Sequence, residues 1–133
     1  MIEINNLTTV SLDEEFLKRI ASKVLEKENR KKADLSIALV GQGRIRALNK
    51  KYRGKNRVTD VLAFPGNGLG EIVICLREVK KNAKRFNLAF EKELTRVLIH
   101  GILHFFRYNH EKSETAAKEM AEKENYYLNL ILK

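Results

Sequence analysis

The sequence predicts an α+β fold built on one small mixed sheet of about four strands. Three observations predict it: β-compatible apolar runs and amphipathic helical segments alternate up to about residue 76, helices alone fill the remainder, and no repeat or low-complexity segment interrupts the order. At 133 residues one hydrophobic core suffices, so a single domain over 1–133 is expected.

The elements follow in order. Residues 2–7 (IEINNL) form a short candidate strand. Ser11 and Glu14 make an S-x-x-E capping box opening a helix through about residue 28, with Phe16, Ile20, Val24, Leu17 and Leu25 as its apolar face. The basic run ENRKKAD marks a turn, and LSIALV at 35–40 is the second strand, broken by Gly41 and Gly43. A helix over about 43–51 carries Ile45 and Leu48. TDVLAF at 59–64 is a strand stopped by Pro65, the only proline, and GEIVICL at 70–76 is the fourth. Helices over about 77–86, 90–106 and 113–131 complete the chain, the last burying a stripe of Ala117, Met120, Ala121 and Leu128.

Hydrophobic residues make up 44% and charged residues 32%, the composition of a folded protein rather than a disordered one. No apolar run approaches the roughly eighteen residues that span a bilayer, and MIEINNLTTV lacks the features of a signal peptide, so cytoplasmic residence without a membrane partner is expected. Cys75 is the only cysteine, which excludes an internal disulfide and a multi-cysteine zinc cluster. Twenty-six Lys and Arg against seventeen Asp and Glu give +9. Such a charge suits a phosphate-bearing partner through counterion release, and equally suits a solvated basic surface with no partner.

The sharpest signal is HGILHFFRYNH, which holds all three histidines. On a helix His100 and His104 stand at i and i+4 on one face, close enough to grip one ion. If the helix ends near residue 106 and the chain returns, His110 closes a three-nitrogen site. A fourth position open to water makes this a catalytic rather than a structural zinc arrangement, although ligand type alone also admits nickel, iron or manganese. The H-x3-H-x5-H spacing also occurs in metzincin peptidases, where a glutamate follows the first histidine as general base. Here that residue is Gly101. Glu91, Glu93 and Glu111 are the carboxylates nearest in sequence, and nothing in the sequence places them at the ion.

The same residues resemble a known family. HGILHFFRYNH is similar to the H-G-x-L-H-x-x-G-Y-D-H signature of the YbeY family of rRNA-maturation endoribonucleases, LNKKYRGKNRVTDVLAFP resembles that family's L-N-x-x-Y-R-x-K-x-x-x-T-D-V-L-S-F-P, and GEIVIC its G-D-I-x-I-C. The resemblance covers about residues 35–125. It implies a zincin-like fold with a metal-binding helix and a return loop, one divalent ion, first of all Zn2+, on His100, His104 and His110, and Arg53 in the catalytic and RNA-binding cleft. Arg53 and His100 are the residues it places in catalysis. It also implies cytoplasmic work on single-stranded or ribosomal RNA beside ribosome-associated proteins.

Four positions depart from the pattern. Arg107 stands for glycine and Asn109 for aspartate inside the metal motif; Ala63 stands for serine and Glu71 for aspartate outside it. Arg107 can point into solvent, bind substrate phosphate or weaken the metal site. Asn109 is a candidate for orienting a histidine from behind, with less charge than aspartate. Asp60 matches the family and either supports the cleft or the histidines or serves only a strand-edge hydrogen bond. Cys75 matches too, and reads as a buried thiol before a fourth ligand, which would close the open position. The leading expectation is a metal-dependent, single-strand-directed endoribonuclease. The alternatives are a zincin-like metallopeptidase and an RNA- or ribosome-binding protein whose catalysis has weakened.

Overall fold

The structure is a computed structural model, and it describes residues 1–106 and 114–132. The elements run β1 (Ile2–Asn6), α1 (Glu14–Lys27), β2 (Leu35–Val40), α2 (Gln42–Arg53), β3 (Val61–Phe64), β4 (Gly70–Cys75), α3 (Leu76–Arg85), α4 (Phe90–Leu103) and α5 (Glu114–Ile131). The four strands form one mixed sheet in the order β1-β2-β4-β3, parallel except for the β3–β4 pair, as the α+β reading expects.

Side-chain alternation gives the sheet two buried faces, and so explains why β2 and β4 are apolar almost without interruption. Leu35, Ile37 and Leu39 of β2, with Ile72 and Ile74 of β4, join α1, α4 and α5 in the larger core. Ala38, Val40, Val73 and Cys75 point the other way and pack on Ile45 of α2. Each fully buried aliphatic side chain contributes about 1.5–3 kcal/mol relative to exposure. α4 is the most enclosed helix: Leu94, Leu98, Ile99, Ile102 and Leu103 have no exposed surface.

Three local expectations are corrected. The cap of α1 is Asp13, not Ser11: its Oδ1 accepts the backbone N–H of Glu15 at 3.1 Å and of Phe16 at 3.4 Å. A carboxylate there also opposes the positive end of the helix dipole, which a hydroxyl does more weakly. α4 ends at Leu103, after which Phe105 N–H and Phe106 N–H donate to the carbonyls of Ile102 and Leu103 in tighter turns. On α5, Ala117 and Ala121 are exposed; the buried stripe is Met120, Tyr127 and Leu128. The reason is Tyr127, fully buried with its hydroxyl donating to Glu28 Oε2, which turns the helix so that 120 and 127, two turns apart, face the core. The anticipated return loop falls on residues 107–113, outside the described residues.

The reassigned cap is testable. Asp13→Ala should lower the unfolding free energy by about 1 kcal/mol, the usual cost of losing an N-cap, while Ser11→Ala should change it by no more than a few tenths. Urea titration of both variants reads the difference, and equal effects would return the cap to Ser11.

Candidate functional site

β3 is an edge of the sheet, so the helix layer on one face and the helix on the other approach each other around it. A cleft of about 540 Å³ opens there, with Arg53, Asp60, Arg96, His100, Gly101, His104 and Phe105 in its wall. Of the residues expected to act together, Arg53, Asp60, His100 and His104 share this one cleft. His110, Asn109, Arg107 and Glu111 lie outside the described residues.

The histidine pair comes from the end of α4. His100 sits in the last turn and His104 is the C-cap, still in helical conformation, with its backbone N–H donating to the His100 carbonyl at 3.2 Å. Helical spacing therefore survives past the last assigned turn. The ring centroids are 4.6 Å apart and the two Nε2 atoms 2.9 Å apart. Two nitrogens bonded to one ion at ~2.0–2.1 Å, with an angle of roughly 90–110° between them, stand about 2.9–3.4 Å apart, so the pair fits two ligands of one divalent ion. The negative end of the α4 dipole lies there as well, an environment that favours a cation. Among the described residues no group of three His, Cys, Asp or Glu side chains is assembled to hold a metal.

Sequence reasoning missed Glu124. It belongs to α5, and its Oε1 accepts from His100 Nδ1. A carboxylate is acceptor-only, so the neutral imidazole it contacts keeps its proton on Nδ1 and presents the Nε2 lone pair towards His104. The residue could have been suspected from its place at helical spacing between Met120 and the pair Tyr127 and Leu128, a carboxylate set on a burying face.

Glu93, one of the carboxylates considered as a base, is fully buried and engaged: Oε1 accepts from Arg96 Nε at 2.9 Å and Oε2 from Arg96 Nη2 at 2.6 Å. These hydrogen bonds push the Arg96 guanidinium above its ordinary range against the opposing effect of burial, and the charges of Glu93, Glu124 and Asp60 act in the same direction. Arg96 is thereby a cation locked in the cleft wall. Its signal in the sequence was an Asp/Glu–Arg pair three residues apart inside an otherwise apolar helix. Glu91 is exposed and absent from the cleft wall.

Arg53 is the last residue of α2, exposed, and followed by Gly54 in the left-handed region at φ 70°, where the helix stops. Two contacts fasten this end. Tyr52 packs edge-on against Phe64 of β3 at 5.2 Å between centroids, and the buried Asn49 donates Nδ2–H to the Arg57 carbonyl at 3.0 Å. Asp60 has both of the features weighed for it: its backbone carbonyl accepts the Cys75 N–H at 2.9 Å, and its carboxylate lies in the cleft wall, accepting from Thr59 Oγ1 at 3.4 Å and Asn82 Nδ2 at 3.5 Å. Cys75 is fully buried in the core layer under α2, burial raises its thiol pKa, and the side chain is not among those lining the cleft.

Gly101 explains itself sterically. A Cβ at this position would stand 3.1 Å from Ile72 Cγ2 and 3.3 Å from Val61 Cγ2, because α4 lies directly on β3 and β4. A glutamate here would crowd the Ile72 and Val61 side chains, which would have to give way to admit it.

The comparisons with known proteins agree with one another. Residues 3–131 match the family described as Endoribonuclease YbeY. An Endoribonuclease YbeY of Thermotoga neapolitana is 42% identical over 118 residues, covering 86% of this chain and 79% of that protein. One of Chlorobium luteolum is 35% identical over 136 aligned positions, covering 99% and 98% of the two chains. A solution structure of a Thermotoga maritima protein superposes with a TM-score of 0.75 at 40% identity, covering 98% of this chain and 89% of that one.

The packing at Gly101 predicts that Gly101→Glu costs stability without adding chemistry. Overpacking at the α4–sheet contact should lower the unfolding free energy by about 1–3 kcal/mol, and casein should remain uncut. A variant as stable as the parent that cleaves casein would reopen the peptidase reading.

Proposed function

Since this chain belongs to the YbeY family and is by that membership an endoribonuclease, we propose that it cuts single-stranded RNA during ribosomal RNA maturation with one divalent ion, Zn2+ first of all, on His100, His104 and His110. The observation that carries the metal part is the pair of Nε2 atoms 2.9 Å apart in the wall of a cleft that also holds Arg53. Cytoplasmic work beside ribosome-associated proteins belongs to the same proposal. No helix among the described residues is long and apolar enough to cross a membrane.

A divalent ion supplies Lewis acidity, which lowers the pKa of water and polarises the phosphodiester. The remaining roles fall to the chain. Arg53 is exposed at the fastened end of α2, where a planar guanidinium can take two phosphate oxygens at once and offset the charge that grows on them during cleavage. The cleft is open along the edge of the sheet, which suits an extended single strand better than a rigid duplex. Asp60 stands in the same wall as a carboxylate for proton movement or for orienting the substrate. The net charge of +9 draws the polyanion from a distance.

His100→Ala should lose the bound ion and RNA cleavage while remaining folded, because His100 is partly exposed at the cleft and contributes little to the core. Chelation of the parent should abolish cleavage and added zinc restore it. Metal analysis and cleavage of a labelled single-stranded RNA measure both; full activity in verified metal-free protein would overturn the metal reading.

Arg53→Ala should keep the metal, lose at least tenfold in cleavage rate, and reduce by about one the slope of log affinity against log salt, since one phosphate contact is removed. Unchanged turnover and an unchanged slope would leave Arg53 a surface residue.

A further inference from the structure

We infer that Glu124 is a positioning residue of the metal centre, so that α5 takes part in metal binding without supplying a ligand. The inference rests on the reading of His100 as a ligand. Glu124 stands twenty-four residues after His100, yet its Oε1 meets His100 Nδ1, the nitrogen turned away from His104. The contact is fixed by the rest of α5. Met120, Tyr127 and Leu128 are buried around it, and the Tyr127 hydroxyl donates to Glu28 Oε2 beyond the end of α1, which sets the rotation of α5 about its axis. Glu124 is thereby held on the side facing α4, with 14% of its side chain exposed.

A carboxylate so enclosed is costly unless it is paired, and its pairing has a chemical consequence. With the Nδ1 proton donated to Glu124, neutral His100 has one tautomer, its lone pair is on Nε2, and ring rotation is restrained. A carboxylate behind the imidazole also makes Nε2 a stronger donor, and removing such a partner commonly costs 10–100-fold in metal affinity. Asn109 and Asp60 were the residues from which such support was expected; Asn109 lies outside the described residues, and Glu124 is the residue whose contact with His100 Nδ1 is seen.

The test is zinc affinity of the full chain, measured by competition with a chromophoric chelator, for the parent, Glu124→Gln, Glu124→Ala and His100→Ala, with unfolding curves for each. Glu124→Gln should bind zinc about 10-fold and Glu124→Ala up to about 100-fold more weakly. Nitrogen-15 spectra of the metal-free parent should show His100 protonated on Nδ1, and Glu124→Gln should shift the population towards the other tautomer. This spectrum decides the matter even if Glu124→Ala fails to fold, and a purely structural α4–α5 contact would not move it. Zinc affinity within twofold of the parent in Glu124→Gln, or His100 protonated on Nε2 in the parent, overturns the inference. If His100→Ala also binds zinc as the parent does, it is the ligand reading that fails; if His100→Ala alone loses zinc, only the role of Glu124 fails.

Discussion

The close approach of α4 to the sheet at Gly101 is the constraint on which the arrangement of the cleft depends. With no side chain at this position, the helix rests on Ile72 and Val61. Leu98, Ile99 and Ile102 are buried around it, and the flanking His100 is left at the cleft, where β3 ends the sheet. A side chain at this position would press on the Ile72 and Val61 methyl groups, which would have to give by a few tenths of an ångström even for a Cβ, at the contact from which the histidine pair projects. The residue that denies this chain the general base of a peptidase is thus the one that seats its histidines. One small position does both.

Charge is arranged around that seat in layers. Glu93 is fully buried and holds Arg96 by two hydrogen bonds; Glu124 lies behind His100; Asp60 lines the same cleft. Three carboxylates about one locked guanidinium leave the local environment short of positive charge, which is the condition under which a divalent ion is welcome. Arg53, exposed at the end of α2, adds a positive charge to the lining of the cleft. The soft sulfur of Cys75 is sealed in the layer under α2, so imidazole nitrogens are the donors on offer among the described residues of the cleft.

Much of the architecture was legible from local pattern. The elements of the described residues follow from short β-compatible apolar runs in the strands and amphipathic spacing in the helices, and the errors among them are confined to ends and faces. The cap of α1 was misread because Ser11 and Asp13 both satisfy capping chemistry, and only the path of the chain decides which side chain reaches the free N–H groups. The face of α5 was misread because alanine carries too little apolar area to determine a helix's rotation, whereas Tyr127, with its hydroxyl bonded to Glu28, determines it. Of the cleft, His100 and His104 were legible because four residues make one helical turn, and Arg53 and Asp60 through resemblance to the family's motifs.

By itself, then, the sequence determined the strands that make up the sheet, the helical pairing of His100 with His104 and the family. Each of these depends on residue type and on spacings within one turn or one strand, over which backbone geometry is nearly invariant. What tertiary structure alone decided is which distant groups come together: Glu124 in contact with His100, Arg53 lining one cleft with the histidine pair, and Gly101 packed on Ile72 and Val61. Those meetings depend on the rotation and approach of whole elements, set by the sum of many weak apolar contacts and by the few buried polar groups that must find partners. No short stretch of sequence contains that sum.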